Sequence, residues 1–271
     1  MINKKKIIFL NSYSPRTGHN FVSEVLKIAS DCEILHHNRA ETRMSIILND
    51  FHKVIDPIYF ETNRAFHQYL FTSSLRDLIV NYKPSQNEYL MIKDTSMKGA
   101  CHLKDYFPDD IHILTIRDPR DTLLSLFKGM KPDKNGLKRF LKYIGRITGL
   151  YNFIYSRKFT KRYMEETKVI EKKGFTLLRY EDLVDKETKT LQKLLNLFSC
   201  SLSEEDLNKR IDEINVINSS FYKEETKSKH TWDAKPKLEK FKPIRRKSLR
   251  RIEVLAIELG CSRLRKQLGY Q

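Results

Sequence analysis

Short apolar runs alternate with longer amphipathic stretches along the chain. The runs that predict buried strands lie at 7–10, 88–92, 112–116 and 175–178. Apolar residues at helical spacing predict helices at 21–29, 64–82, 122–127, 135–174 and 250–268. Because strands and helices alternate, we expect an α/β fold, a three-layer sandwich with a central, mostly parallel sheet. Such sheets bind ligands at the carboxyl ends of their strands.

The same pattern predicts burial and element boundaries. In the helix at 64–82, the residues expected to face the core are Phe66, Tyr69, Leu70, Leu78, Ile79 and Tyr82. The stretch at 185–217 predicts two packed helices, with Ser203 at the start of the second. The segment at 175–184 predicts a strand that leads into a loop.

The turn between the first strand and the first helix, at 12–21, predicts a phosphate-binding cradle. Gly18 lets the backbone approach a ligand closely. The free N–H groups of the next helical turn point into this turn, at the positive end of the helix dipole. Arg16 adds a cation with a planar fork of donors. The alternative is an ordinary strand-to-helix turn with a surface arginine. The second glycine and the lysine of the nucleotide-hydrolase motif are absent.

A second polar segment follows the strand at 112–116. Asp118 has the residue type of a helix N-cap, and Pro119 suits the first helical position. Arg117 stands at the strand end and Ser125 lies in the following helix. We expect both of these side chains to contact one phosphate.

Three segments together resemble the signature of a known family. They are Pro15-Arg16-Thr17-Gly18, Arg117-Asp118-Pro119-Arg120-Asp121 with Ser125, and Arg179-Tyr180-Glu181-Asp182-Leu183. In order, spacing and strand context they resemble sulfotransferases that use 3′-phosphoadenosine 5′-phosphosulfate (PAPS), and their details are most similar to the tyrosylprotein and carbohydrate branches. The resemblance implies a P-loop-NTPase-like sulfotransferase fold as a single domain over 1–271. It also implies PAPS as the donor, adenosine 3′,5′-bisphosphate as the product, and no metal.

The resemblance also implies roles for individual residues. The 5′-phosphosulfate would be held by Arg16 and by the backbone of Thr17, Gly18, His19, Asn20 and Phe21. Lys93 would neutralise the transferring group, and Arg117 with Ser125 would hold the 3′-phosphate. Tyr180 and Phe21 would contact the adenosine. Lys229 and Trp232 stand where related enzymes place a loop over the nucleotide, although the Arg-Lys-Gly pattern of that loop is not visible.

Two residues are candidates for the catalytic base. Glu41-Thr42-Arg43 resembles a Glu-Thr-Arg segment of tyrosylprotein sulfotransferases, in which the Glu is the base. Thr95 stands where cytosolic relatives carry a base histidine. Glu41 is therefore the first choice and His19 the second, while a salt-bridged surface role for Glu41 is the alternative. A Glu base would need its pKa raised from its ordinary value of about 4.3.

The net charge of +17 implies an anionic partner, such as a nucleotide, an acidic glycan, an acidic peptide or nucleic acid. No recognised nucleic-acid-binding motif is present, so we expect an acceptor such as an acidic glycan, a peptide or a small alcohol. A small-molecule kinase is the rival enzyme class, but the Walker lysine is missing. The basic, aromatic-rich stretch at 138–162 is either a solvated helix face over a buried aromatic stripe or an anionic acceptor groove.

The remaining signals concern location and metals. The apolar run at 7–10 is too short for a secretory core or a membrane span. Cys32, Cys101, Cys200 and Cys261 are far apart and indicate reduced thiols that act as small buried hydrophobes in a cytoplasmic protein. The pair His36 and His37 lacks further ligands at metal-binding spacing. We therefore expect no metal site.

Overall fold

The computed structural model describes residues 5–36, 41–94, 96–129, 136–214 and 249–270. Within these ranges one sheet of five parallel strands forms, in the order β2-β3-β1-β4-β5. The strands are β1 (Lys6–Ser12), β2 (Glu33–Ile34), β3 (Tyr89–Asp94), β4 (Ile111–Ile116) and β5 (Thr176–Arg179). The expected parallel sheet is confirmed. The two-residue edge strand β2 was not predicted, since so short a pairing leaves no periodic pattern.

Helices cover both faces of the sheet, which confirms the three-layer sandwich. The first six described helices are α1 (His19–Ser30), α2 (Met44–Ile55), α3 (Glu61–Val80), α4 (Ala100–Tyr106), α5 (Pro119–Gly129) and α6 (Gly136–Ile147). The next five are α7 (Leu150–Lys172), α8 (Tyr180–Val184), α9 (Thr188–Leu197), α10 (Glu204–Asp212) and α11 (Arg251–Gln267). Helices α1, α8, α9 and α10 pack on one face. On the opposite face α2, α3 and α4 cover one half, and α5, α7 and α11 cover the other.

The strand register brings the carboxyl ends of β1, β3 and β4 together. Leu10 of β1 is paired with Lys93 of β3, and Ser12 is paired with Thr115 of β4. Because paired residues of parallel strands share a face, Lys93 points to the same side as the buried Leu10, toward α1. The segments that follow these three strands therefore meet at one edge of the sheet.

Both helix starts predicted from the sequence are confirmed. The Asp118 carboxylate accepts a hydrogen bond from Arg120 N at 2.8 Å, directly before α5. The Ser203 hydroxyl accepts one from Asp206 N at 3.1 Å, at the start of α10. The predicted loop after β5 is wrong, because the chain there continues as the short helix α8. Its signature segment supplies helical residues and no Gly or Pro that would stop them.

The predicted burial of α3 is wrong for most of its residues. Phe66, Tyr69, Leu70, Leu78 and Tyr82 are exposed, from 52% to 67%. Of the predicted set, Ile79 packs against the core, and Leu75 lies one turn before it. The apolar residues of α3 are spread around the helix, so only this narrow strip can face the sheet. An ion pair from Arg76 to the buried Asp110 at 2.9 Å holds α3 in place.

The aromatic stripe predicted for the basic stretch is only partly buried. Phe159 and Tyr163 of α7 are 8% and 7% exposed and pack in the core, whereas Tyr143 of α6 is 57% exposed. The four cysteines are all free; Cys32 and Cys261 are buried and the other two are half-buried. Among the described residues, no helix is long and apolar enough to cross a bilayer. The same residues contain no cluster of three metal-ligating side chains.

Candidate active site

The turn from β1 to α1 has a backbone shape that Gly18 permits. Gly18 precedes α1 with φ of 84°, and Arg16 has φ of 75°, so both lie in the left-handed region. A Cβ on Gly18 would lie 2.2 Å from two carbon atoms of the Tyr180 ring. The sequence explained this glycine by close approach to a ligand. The structure adds a second reason, since the missing side chain makes room for Tyr180.

Gly18→Ala is expected to destabilise the fold for two separable reasons. Left-handed backbone costs an alanine roughly 1–2 kcal/mol, and overpacking against the Tyr180 ring adds about 1–3 kcal/mol. Gly174→Ala is the matched control, because Gly174 has φ of 68° but has nothing within 4 Å of the position that an alanine methyl would take. Urea unfolding of both variants measures the difference in the free energy of unfolding. Equal losses of unfolding free energy in the two variants would show that the Tyr180 ring does not crowd the position of Gly18.

Arg117 connects the end of β4 to this turn. Its Nη1 donates to the Arg16 carbonyl oxygen at 3.1 Å, and its guanidinium lies 4.4 Å from the centre of the Tyr180 ring. Phe21 meets the same Tyr180 ring edge-on at 5.7 Å between centroids. Three residues predicted from separate segments, Arg16, Arg117 and Tyr180, are thus brought into direct contact.

Several buried polar atoms beside the cradle lack a hydrogen-bond partner within the described part of the chain. Two of them are Thr17 Oγ1 and Arg117 Nε, and His19 Nδ1 is another. A buried polar group without a partner costs about 1–3 kcal/mol, so Thr17 Oγ1 in the β1–α1 turn and Arg117 Nε after β4 indicate a site that is completed by a ligand. An anion such as a phosphate would accept a hydrogen bond at each of these two places.

Lys93 lies at the end of β3 and is fully buried. Its Nζ donates to Asn20 Oδ1 in the first turn of α1 at 2.9 Å. Burial lowers the pKa of Lys93 to about 8, against the opposing charges of Glu41 and Glu24. The site therefore holds a cation that is close to losing its proton, directly beside the helix start that forms the cradle.

Glu41 reaches the same place through an extra strand contact. Thr42 donates from its N to the Lys93 carbonyl oxygen at 2.8 Å and forms an isolated parallel bridge to Asp94. Glu41 Oε1 lies 3.9 Å from His19 Nδ1. This distance is too long for a hydrogen bond, so the two side chains interact as an ion pair when His19 is protonated.

The tautomer of His19 follows from its other nitrogen. His19 Nε2 lies 3.0 Å from the Leu10 carbonyl oxygen, which can only accept, so Nε2 carries a hydrogen. Nδ1 of the neutral ring then presents a lone pair toward Glu41. A proton taken up at this pair can reside on Nδ1 or on the carboxylate. His19 and Glu41 therefore form one proton-accepting unit.

The pKa of Glu41 is shifted in the direction opposite to the one expected. Burial acts to raise it, but His19 first, then Lys93 and His36, outweigh burial and leave the pKa lowered. Glu41 is thus ionised near neutral pH, but its carboxylate is a weaker proton acceptor than the expected raised pKa would make it. It is 24% exposed, whereas the His19 side chain is 4% exposed. An entering hydroxyl would meet the carboxylate first.

Sequence reasoning missed several residues that hold these groups. His36 Nε2 accepts from Lys93 N at 3.0 Å, at the end of β3. Asp94 accepts from Ser45 N, Ser45 Oγ and Ser96 N, which fixes the start of α2 next to Glu41. Burial raises the pKa of Asp94 despite these donors. In the sequence, the only indication that these residues belong to the site was the run of polar residues that follows each strand.

A second network fixes the segment after β4. Arg265 of α11 forms a forked contact with the Asp118 carboxylate at 3.0 and 3.2 Å. Asp118 N donates to Glu181 Oε1 at 2.9 Å, and Tyr270 OH donates to Glu181 Oε2 at 2.8 Å. Two of the family-like segments are therefore joined by the Glu181 carboxylate. Neither Arg265 nor Tyr270 could be assigned from spacing, since both lie far along the chain.

Of the remaining residues predicted for the site, the structure describes Ser125, Phe21 and Tyr180. Ser125 is buried within α5, with 7% exposure, after Arg117 at the end of β4. Phe21 and Tyr180 are 7% and 6% exposed, so each ring offers only a small edge for adenosine. Lys229 and Trp232 lie outside the described residues. Their contact with a nucleotide stays a prediction.

Comparisons with known proteins give one family match. A model described as the sulfotransferase family matches residues 14–204, which include the cradle, Glu41, Lys93, Arg117 and Glu181 but not Arg265 and Tyr270. No curated protein sequence matches. Two crystal structures of retinol dehydratase are similar at 16% identity, one with androsterone and inactive cofactor PAP and one with retinol and PAP.

The likeness to these two structures is limited. It covers 76% and 77% of this chain but 62% and 64% of theirs, with TM-scores of 0.38 and 0.39. The chain thus spans less than two thirds of their length. TM-scores this low carry no structural argument on their own.

Proposed function

The chain belongs to the sulfotransferase family, and from this we propose that it transfers a sulfuryl group from PAPS to a hydroxyl or amine. The observation that carries the proposal is the meeting of the cradle, the buried Lys93 and the His19–Glu41 pair at the carboxyl end of the sheet. These are a phosphate site, a cation and a proton acceptor, which are the groups that in-line transfer of a charged group requires.

The residues present fit PAPS. Arg16, the N–H groups of Thr17 to Phe21 and the unpartnered Thr17 Oγ1 suit the 5′-phosphosulfate. Arg117 Nε and Ser125 suit the 3′-phosphate, and the Tyr180 and Phe21 edges suit adenosine. When bound, PAPS supplies the sulfuryl group that is transferred.

The chain's own groups have separate tasks. Lys93 provides positive charge where negative charge grows during transfer, and Asn20 holds its Nζ in place. The carboxylate of Glu41 takes the proton of the acceptor hydroxyl. His19 lies behind it, with Nε2 fixed by Leu10 O, and stabilises the ionised carboxylate when Nδ1 also carries a proton. Burial of these groups keeps water from competing for the site.

The acceptor is proposed as a hydroxyl or amine of an acidic glycan, a peptide tyrosine or a small alcohol. The net charge of +17 supports an anionic acceptor. We also propose that residues 1–271 form a single domain and that the protein is cytoplasmic. It would bind a nucleotide and an acceptor, and not nucleic acid.

Adenosine 3′,5′-bisphosphate is expected to stabilise the protein more than AMP does. At 100 times its dissociation constant a ligand adds about 2.7 kcal/mol, which for a chain of this size raises Tm by roughly 5–10 °C. AMP lacks the 3′-phosphate and leaves Arg117 Nε without an acceptor, so its shift should be far smaller. Differential scanning fluorimetry measures both ligands. Equal shifts would remove the role given to Arg117 and Ser125.

A further inference from the structure

Helix α6 packs against the protein through its polar side. Arg146 Nε donates to Glu253 Oε1 on α11 at 3.0 Å. Lys142 Nζ lies 5.4 Å from the centre of the Tyr151 ring on α7. Surface helices of globular proteins usually do the reverse and bury their apolar stripe.

The apolar side of α6 faces away from the protein. Phe140, Leu141 and Ile144 are 58%, 60% and 43% exposed. With 3.6 residues per turn, these three lie on the side of the helix opposite to Arg146. The sequence of α6 separates apolar from basic residues sharply, so the outward stripe is a property of the whole helix.

The two helices that contact α6 also carry exposed apolar residues. A Cβ on Gly149, between α6 and α7, would lie 3.3 Å from Ile252 Cγ1 of α11, so the three helices meet at this turn. Exposed apolar residues on these three helices include Phe140, Leu141, Ile144, Ile147, Leu150, Ile154, Ile252, Leu255 and Leu259. We call this set the outer apolar face. So many exposed apolar residues on neighbouring helices indicate an interaction site.

The surroundings of the outer apolar face are strongly basic. Residues 136–164 include no Asp or Glu. On the adjoining part of α11, Glu253 and Glu258 are each paired with an arginine, at 3.0 and 2.9 Å. Arg157 and Lys158 of α7 and Arg251 of α11 are exposed. The face therefore combines an apolar centre with a positive rim.

This combination decides between the possible occupants. A second copy of the chain would bring an identical positive rim against this one, which disfavours self-association. An anionic bilayer offers both an apolar layer for the stripe and negative headgroups for the rim. We propose that the outer apolar face binds the surface of an anionic lipid bilayer, with α6 lying in the interface and not crossing it.

Vesicle co-sedimentation tests this proposal with the full chain. Wild-type protein should bind vesicles of phosphatidylcholine mixed with phosphatidylserine, bind pure phosphatidylcholine far less, and lose affinity as salt is raised. Leu141→Asp should lower the partition coefficient between vesicles and water by about tenfold or more. It removes a leucine that the bilayer would bury, and it adds a negative charge. Unchanged melting of this exposed variant would show that its fold is intact.

Phe66→Asp is the matched control, because Phe66 of α3 is 57% exposed but lies outside the outer apolar face. It should leave vesicle binding unchanged. Wild-type protein that ignores anionic vesicles would overturn the proposal, and so would equal losses in the two variants. A concentration-dependent dimer that Leu141→Asp dissociates, with no vesicle binding, would identify a second copy as the occupant and also overturn it. None of these readouts depends on sulfuryl transfer.

Discussion

Replacing Glu41 by Gln is expected to lower turnover by about 10²–10⁴-fold, the usual contribution of a general base. Gln keeps the size of the side chain but cannot accept a proton near neutral pH. Its amide can still donate toward His19 Nδ1, so the local packing is preserved. Binding of adenosine 3′,5′-bisphosphate should stay near normal, because the carboxylate is proposed to act on the acceptor and not on the nucleotide. Turnover with PAPS and calorimetric binding of the product measure the two quantities separately.

His19→Gln is the control for this experiment. His19 lies in the first turn of α1, where the cradle is built, and its ring holds the Leu10 carbonyl oxygen at 3.0 Å. Its replacement should therefore weaken nucleotide binding, which Glu41→Gln should not do. Full turnover in Glu41→Gln, together with lost turnover and intact binding in His19→Gln, would make His19 the base.

Lys93→Met is expected to lower kcat by about 10²–10³-fold, the usual effect of removing one group that stabilises transition-state charge. The thioether fills the channel left by the lysine stem. Stability should hold or rise, because keeping a charge buried is costly and an apolar side chain of similar size avoids that cost. Lys27→Met on the exposed side of α1 is the matched control and should change neither quantity. A normal kcat in Lys93→Met would exclude the cation from catalysis.

The pKa of Lys93 adds a pH signature to the same prediction. Burial lowers this pKa to about 8, so the ammonium of the free enzyme loses its proton as the pH rises through that value. The positive charge of Lys93 is fully present well below this pH and is lost above it. In wild-type protein, kcat/KM for PAPS should therefore fall about tenfold per pH unit once the pH exceeds this pKa. This decrease at high pH should be missing in Lys93→Met.

Much of the cradle could be predicted because its determinants are local. A buried run before a glycine turn and a periodic helix after it specify strand, turn and helix at 6–30. Asp118 caps a backbone N–H only two residues away, so its role could also be predicted from the sequence. The family-like segments indicated one edge of the sheet and the structure brings them together there, because parallel strands place their carboxyl ends together.

The sequence by itself determined the strands, the parallel α/β fold, the cradle and the identity of the charged groups that follow each strand. Only the tertiary structure decided that Lys93 meets Asn20, that Glu41 meets His19, and that the pKa of Glu41 is lowered. It also decided that α3 and α6 expose apolar residues. The spacing of apolar residues along a helix shows that its two faces differ. It does not show which face packs against another helix or the sheet. A pKa depends on burial and on charges brought from distant parts of the chain.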